Sequence, residues 1–429
     1  MVSIDDRYYQ THPKSAEFSA EAETLFPDGV THDGRKSLPF RVYMDRGLGP
    51  KKWDIDGKEY IDYRTGHGSM ILGQAHPEVV KAVQERMAKG THLSASTQEE
   101  VKWASIVKQL VPYAEKMRFQ SSGTEAMMMT FRMARAYSGK SKIVKFENAF
   151  HGWGDSPFVG ATGDNPNNGI PSTVRDSMVV IPYDINELER VLDNDNDIAG
   201  VVFQGNHVIN PTFIRGLRDV TKTRGVILIF DEVVSGFRYS KSGCGGRYGV
   251  EPDISGWAKI LAGGLPGGCV LGRADIIDMI SPGKITHPGT FNANPLSAAA
   301  GSTALNIVAN QPIVEIAEER AVQLKNGLNQ ILTKMEIPGC AYGVSSIVSM
   351  RLGIEHECDR EYCEEAEQAM MVGVSNDVDA LLGRALTNEG VWGGPTGYIL
   401  SATHTEEDIN NTLDKFERAI AQVRDEGAI

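Results

Sequence analysis

Two ionisable residues stand out by type and setting. Asp231 follows the apolar run Val226-Ile227-Leu228-Ile229-Phe230, which Gly225 bounds. A short β-branched run of this kind reads as a buried strand, and open α/β sheets place ligands at the carboxyl ends of their strands. Lys259 comes 28 residues later, flanked by Ala258, Ile260, Leu261 and Ala262 and followed by Gly263-Gly264-Leu265-Pro266-Gly267-Gly268. An amine in apolar company loses solvation, so its pKa falls and the free nucleophile becomes available. Such a lysine makes a Schiff base with an aldehyde, and a carboxylate facing a pyridine nitrogen keeps it protonated, so the ring draws electrons. The pair suits pyridoxal phosphate chemistry. Taken singly, Asp231 could equally cap a loop exit and Lys259 could be a solvated surface lysine.

Three further stretches carry chemistry. Ser122-Gly123-Thr124 lies where a strand hands over to a helix. Free N–H groups, a permissive glycine and a hydroxyl there make either a phosphate cradle or an ordinary helix cap. Phe150-His151-Gly152-Trp153 follows another strand exit. The aromatic can stack on a planar cofactor and the histidine can polarise it, or both can be core residues. His287-Pro288-Gly289-Thr290-Phe291 is a loop before an Ala-rich helix, and the Thr290 hydroxyl could reach a phosphate. Gly243 to Gly246 has no strand before it and no GxGxxG spacing, so it reads as a loop. His67, His76, His92, His287 and His404 show no metal-ligand spacing, and no metal is expected.

The elements that must position these residues alternate. Strands are expected at Met117–Phe119, Ile143–Phe146, Met178–Ile181, Ile198–Phe203 and Val226–Phe230, with helices between them. One helix opens at His76-Pro77 with Val79, Val80, Val83 and Met87 on its inner face. A second carries Trp103, Ile106, Val107 and Leu110, and a third is rich in methionine and runs to about Tyr137. Asp184 and Glu187 suggest a capping box, and Pro211 opens a helix with Phe213, Ile214, Leu217 and Val220 inward. Alternation of this kind gives a mostly parallel sheet with helices on both faces, an α/β fold. Residues 1 to about 50 read as polar and irregular, with a helix only at Ala16 to Leu25. Trp53 to Asp62 reads as a hairpin turning at Asp56-Gly57. After residue 310 come a long amphipathic helix, a strand at Ser346–Leu352, a helix at Asp377–Glu389, a strand at Tyr398–Ala402 and a helix capped by Thr405 and Asp408. The expected domains are an N-terminal segment, 1–65, joined to a small C-terminal α+β domain, 310–429, around a large domain, 66–309.

Bulk properties exclude several classes. Lys and Arg total 43 against 56 Asp and Glu, a net charge of −13, which argues against a nucleic-acid footprint. No apolar run reaches the length of a membrane span, and the start lacks the order of a signal peptide. Cys244, Cys269, Cys340, Cys358 and Cys363 form no CxxC pair, as expected of free thiols in the cytoplasm.

The motifs together resemble the class III aminotransferases of the fold-type I pyridoxal phosphate enzymes, and most closely the glutamate-1-semialdehyde aminomutase-like branch. The resemblance runs from about Trp53 to the C-terminus. It rests on Ser122-Gly123-Thr124-Glu125-Ala126, Phe150-His151-Gly152, Phe230-Asp231-Glu232-Val233 with Gly236-Phe237-Arg238, Lys259 before its glycine-rich stretch, and Gly289-Thr290-Phe291. It implies a large domain with a mostly parallel seven-stranded sheet and a smaller α+β domain. It also implies an internal aldimine on Lys259, which would shuttle the proton, and an Asp231–pyridine nitrogen pair. Val233 and Phe150 would pack on the two ring faces, and Ser122, Gly123, Thr124 and His151 would contact the cofactor. Thr290 would reach the phosphate of a partner subunit, making the active unit a homodimer. Transamination between an amino donor and an oxo acceptor through pyridoxamine phosphate is the expected activity, with an aminomutase or epimerase as the alternative.

Three departures bear on substrate. Gln204-Gly205-Asn206 stands where relatives carry a Glu-Pro pair. Gly393-Gly394-Pro395-Thr396-Gly397 lacks the carboxylate of true aminomutases. Arg64 stands where close relatives have an aromatic; it could clamp a carboxylate or make a salt bridge. Arg35, Arg41, Arg64 and Gln204 are the candidate substrate contacts.

Overall fold

The computed structural model describes residues 2–205, 210–353 and 376–429; Asn206, Cys358 and Cys363 lie outside the described residues. The chain packs as two units, residues up to His76 with Glu315–Ile429, and Pro77–Val314.

In the first unit the opening residues are helical, not irregular. Ser3 caps Ile4–Thr11 by accepting from the Asp6 N–H, and Pro13 opens Pro13–Leu25 ahead of the expected start. Proline at a first helical position sacrifices no hydrogen bond, because that N–H has no helical partner. β1 (Met44–Leu48), β2 (Lys51–Asp54) and β3 (Glu59–Asp62) follow, and β2 and β3 pair antiparallel about the Asp56-Gly57 turn.

In the second unit β4 (Lys116–Gln120), β5 (Lys142–Phe146), β6 (Met178–Ile181), β7 (Ile198–Gln204), β8 (Ile227–Asp231), β9 (Ile254–Ala258) and β10 (Gly268–Gly272) form one sheet. Its order is β4-β10-β9-β8-β7-β5-β6. Neighbours from β9 to β6 pair in parallel, whereas β10 runs antiparallel to both β9 and β4. β8 is buried along its whole length, as a strand covered on both faces must be, and its composition is accordingly apolar up to Asp231.

β9 and β10 escape a composition-based reading because glycine weakens a strand. These glycines have packing reasons. A Cβ on Gly256 would collide with Met127 Sδ, and one on Gly268 with the backbone of Ser122. The helix Gly123–Ser138 therefore lies close against this half of the sheet.

Four local expectations need correction. Gly243–Tyr248 is a short helix, not a loop. Helix Pro77–Met87 buries Arg86 and leaves Val80 and Met87 exposed. The stem of Arg86 fills the inner face while its head lies 3.8 Å from Glu99. Asp184 does cap its helix by accepting from the Asn186 N–H, but Glu187 turns to Arg190 instead of back to the cap. The strand expected over Tyr398–Ala402 ends at Ile399, because the His404 ring takes the Ser401 N–H and turns the chain.

The first unit is completed by β11 (Gly339–Tyr342), β12 (Ile347–Leu352), β13 (Val391–Trp392) and β14 (Gly397–Ile399). β12 pairs antiparallel with β11 and β14, and β13 pairs parallel with β3. Helices Ile313–Lys334, Asn376–Glu389 and Glu406–Asp425 supply Leu324, Leu328, Leu382, Phe416 and Ile420 to a core shared with Tyr63 and Tyr398. The Thr405–Asp408 capping box forms as its sequence suggests.

Candidate active site

Asp231 ends β8, with Gln204 of β7 and Gly256 of β9 as its register partners. Both carboxylate oxygens are engaged. Oδ1 accepts the Val233 N–H at 3.0 Å, and Oδ2 lies 2.8 Å from His151 Nδ1. A carboxylate only accepts, so Nδ1 carries the proton. Burial pushes the His151 pKa down against the opposing pull of Asp231, so the ring is neutral and Nε2 is an acceptor; it is buried without a partner.

Lys259 follows β9 and opens the short turn Lys259–Ala262 at φ +55. A side chain in the left-handed region is strained, and such strain gathers at functional sites. Ile260, Leu261 and Ala262 are buried beside it. Desolvation lowers the Lys259 pKa; the charge of Asp231 opposes the shift and that of Arg238 adds to it. The structure thus puts the amine in the field of the carboxylate, as the chemistry of the pair requires.

At the start of Gly123–Ser138, Ser122 Oγ accepts from Glu125 N, and the Glu125 carboxylate accepts from Ser121 N at 2.7 Å. Ser122 is therefore a cap. The N–H groups of Gly123 and Thr124 and the Thr124 hydroxyl have no acceptor among the described residues. That is the donor set a phosphate takes at a helix start. Gly123 is packed on Val233: a Cβ there would lie 3.0 Å from Val233 Cγ1 and 3.3 Å from Ala258 Cβ. The donor set, the paired acid and the shielded amine fit pyridoxal phosphate.

Phe150 and His151 sit on the loop after β5. The Phe150 N–H donates to Gln204 Oε1 at 2.9 Å, so Gln204 holds the loop. Phe150 is half exposed and meets Phe158 edge-on. Gly152, at φ +106, approaches Thr124 so closely that a Cβ would lie 2.9 Å from its Cα. Loop and helix start are in contact.

Glu232 adjoins Asp231 and is not among the candidate site residues that the sequence offers. It is fully buried and accepts from Ser235 Oγ, Cys244 N and Gly245 N. Burial raises its pKa to about 7. The two N–H bonds explain why glycine-rich Gly243–Tyr248 is helical: a carboxylate caps its start.

The remaining candidates do not join this cluster through any described contact. Thr290 is exposed, and its carbonyl receives His92 Nε2 at 2.6 Å. Arg35, Arg41 and Arg64 line a cavity of about 1240 Å³ within the first unit, with Lys52, Asp62 and His67. Arg35 donates to Thr31 Oγ1 at 2.9 Å. Arg41 is committed to Ser19, to Glu23 at 3.2 Å and to the Asp28 carbonyl. The Arg64 guanidinium makes no ion pair or hydrogen bond among the described residues, because Asp62 is taken by Lys52, Gln74 and two backbone N–H groups.

The sheet order and the helix start at its carboxyl edge are those of the fold-type I pyridoxal phosphate enzymes. The family model of the class III aminotransferases matches residues 33–420. The chain is 36% identical to glutamate-1-semialdehyde 2,1-aminomutase 2 of Geobacillus thermodenitrificans, covering 97% of this chain and 100% of that one. It is 35% identical to aminomutase 1 of Staphylococcus carnosus, covering 96% and 99%. Among solved structures it matches an omega-transaminase from Sphaerobacter thermophilus with a TM-score of 0.88 at 29% identity, covering 96% and 98%. A transaminase with PLP bound matches at 0.87 and 29%, covering 97% and 99%. The chain belongs to the class III aminotransferase family. It is a pyridoxal phosphate-dependent enzyme of that class.

Proposed function

We propose that this enzyme is an aminotransferase, moving an amino group from an amino acid or amine donor to an oxo acceptor. The observation that carries the reading is Lys259, shielded and strained, in the field of Asp231. Pyridoxal phosphate supplies a carbonyl and an electron-withdrawing ring. Lys259 Nζ would hold the cofactor through that carbonyl and would serve as the base and acid that moves the substrate proton. Asp231, oriented by His151 and the Val233 N–H, would keep the ring nitrogen protonated. Gly123 and Thr124 would hold the phosphate, and Val233 and Phe150 would pack against the ring.

Of the three arginines, Arg64 is the one whose guanidinium makes no ion pair or hydrogen bond among the described residues, which suits it to a substrate carboxylate. Gln204 is assigned chiefly to the loop, and Arg41 to its own ion pair. Thr290 serves the phosphate site of a second copy. The exposed Leu93, Val101 and Phe291 of the same unit suit burial in such a homodimer. No helix among the described residues is long and apolar enough to cross a membrane. Cys244 and Cys269 are free and buried, which suits the cytoplasm.

The second reading is an aminomutase, favoured by 36% identity across 97% of the chain to proteins so named. Gly393-Gly394-Pro395-Thr396-Gly397, without a carboxylate, speaks against it; an epimerase would share the same residues. The purified protein should carry a visible absorption band that changes on adding amino donors, and K259A should lose that response. A donor and acceptor panel read by mass spectrometry then decides between the readings. Product formed over many turnovers per site without any separate oxo acceptor would reject the aminotransferase, and an unchanged spectrum with every donor would reject both.

A further inference from the structure

Lys145 lies on β5 among Ile143, Val144 and Phe146, and it is fully buried. Its Nζ donates to the carbonyls of Ala149 at 2.9 Å and Pro157 at 3.0 Å. It makes no ion pair among the described residues. A buried ammonium without an adjacent counter-ion is expensive, and an apolar residue would suit this strand better on stability alone.

What the lysine provides is closure. Ala149 and Pro157 flank residues 150–156, the loop that carries Phe150 and His151 and the opening of the short helix Asp155–Phe158. The loop tip is held by Gln204 on the Phe150 N–H, by Asp231 on His151 and by the contact of Gly152 with Thr124. Lys145 alone of these groups reaches both ends of the loop. Asp231 and Asp164 lie near enough to offset part of the desolvation of Lys145, and its charge in turn favours neutral His151. The ammonium has three donors, and two are spent across the loop neck.

We propose that Lys145 is a positioning residue, bridging the Ala149 and Pro157 carbonyls so that the loop presents Phe150 and His151 to the Asp231 end of the sheet. The consequence for cofactor binding rests on the pyridoxal phosphate reading; the clamp itself is a property of the chain. The test compares the full-length wild type, K145M and K145R by hydrogen–deuterium exchange of the cofactor-free protein and by pyridoxal phosphate titration. K145M is expected to exchange about tenfold faster in peptides covering 147–158, with β8 and Gly123–Ser138 unchanged, because only the loop loses its tie. Its affinity for pyridoxal phosphate should fall by about tenfold, with K145R, which keeps charge and donors, restoring part of both effects.

Wild-type exchange over 147–158 in K145M would overturn the proposal. Faster exchange spread evenly over the unit would do the same, since it marks a residue of general stability. Should K145M not fold, K145Q is measured under the same criteria, its shorter amide leaving at least one carbonyl untied. Failure of the wild type to bind pyridoxal phosphate would reject the functional reading, while the exchange comparison would still decide the clamp.

Discussion

His151 Nδ1 lies 2.8 Å from Asp231 Oδ2, in a pair almost wholly withdrawn from solvent. Burial keeps the ring neutral, so it orients the acid without cancelling its charge. A hydrogen bond to a charged group contributes about 1.5–3 kcal/mol, which corresponds to about 10–100-fold in rate. D231N should lose at least that much in turnover, and H151F should lose less while weakening cofactor affinity. Steady-state rates and fluorescence titration of the cofactor check both; H151F losing more turnover than D231N would contradict the assigned order of roles.

Gly123 and Gly152 pack at the start of the helix Gly123–Ser138 in different ways. A methyl on Gly123 meets the movable side chain of Val233 at 3.0 Å, whereas one on Gly152 meets the Thr124 backbone at φ +106. G152A should therefore destabilise by about 1–3 kcal/mol, and G123A by less. Both should weaken cofactor binding. Thermal melts of the cofactor-free variants, with titration alongside, establish the order.

The Arg64 guanidinium makes no ion pair among the described residues. R64A should raise the KM for carboxylate-bearing donors by about tenfold, the effect of one charge-assisted hydrogen bond, and leave the melting temperature unchanged. Amine donors without a carboxylate should be indifferent. An equal effect on both donor classes would remove Arg64 from substrate recognition.

Glu232 makes stability depend on pH. Its folded pKa of about 7 exceeds the ordinary value, so between pH 4.5 and 7 the folded state holds a proton that the unfolded state has released. This contribution is fully present at acid pH and is lost as pH rises through 7, by up to about 3 kcal/mol. E232Q stays neutral in both states and should flatten that limb. Melting temperatures of the two proteins from pH 5 to 8 make the comparison; parallel curves would mean that Glu232 is ionised throughout.

The legible parts of the chain were those where local chemistry and packing agree. Asp231 ends an apolar run, and the run is apolar because both sheet faces are covered. Lys259 was visible for the same reason, as one charge in a small apolar segment. β9 and β10 stayed hidden because Gly256 and Gly268 are shaped by Met127 and Ser122, which are distant in sequence. Gly243–Tyr248 was misread because Glu232 caps it from twelve residues away, overriding glycine's poor propensity. Lys145 did leave a signal, a lone charge inside Ile143–Phe146. Whether Arg41 or Arg64 is free depends on Glu23 and Asp62, and no spacing rule reports which carboxylate is already taken.

The strand returning after Lys259 places Gly268 directly between Ala258 and Gln120 across the sheet, against Ser122. The stretch from 259 to 268 is thus a ruler, setting the span from the Lys259 amine to the helix start at Ser122. One inserted residue would slip β10 and turn its alternate side chains to the wrong face. The ruler's glycines are held as tightly as its length, since a Cβ on Gly263 would meet the Ala300 backbone and one on Gly268 the backbone of Ser122.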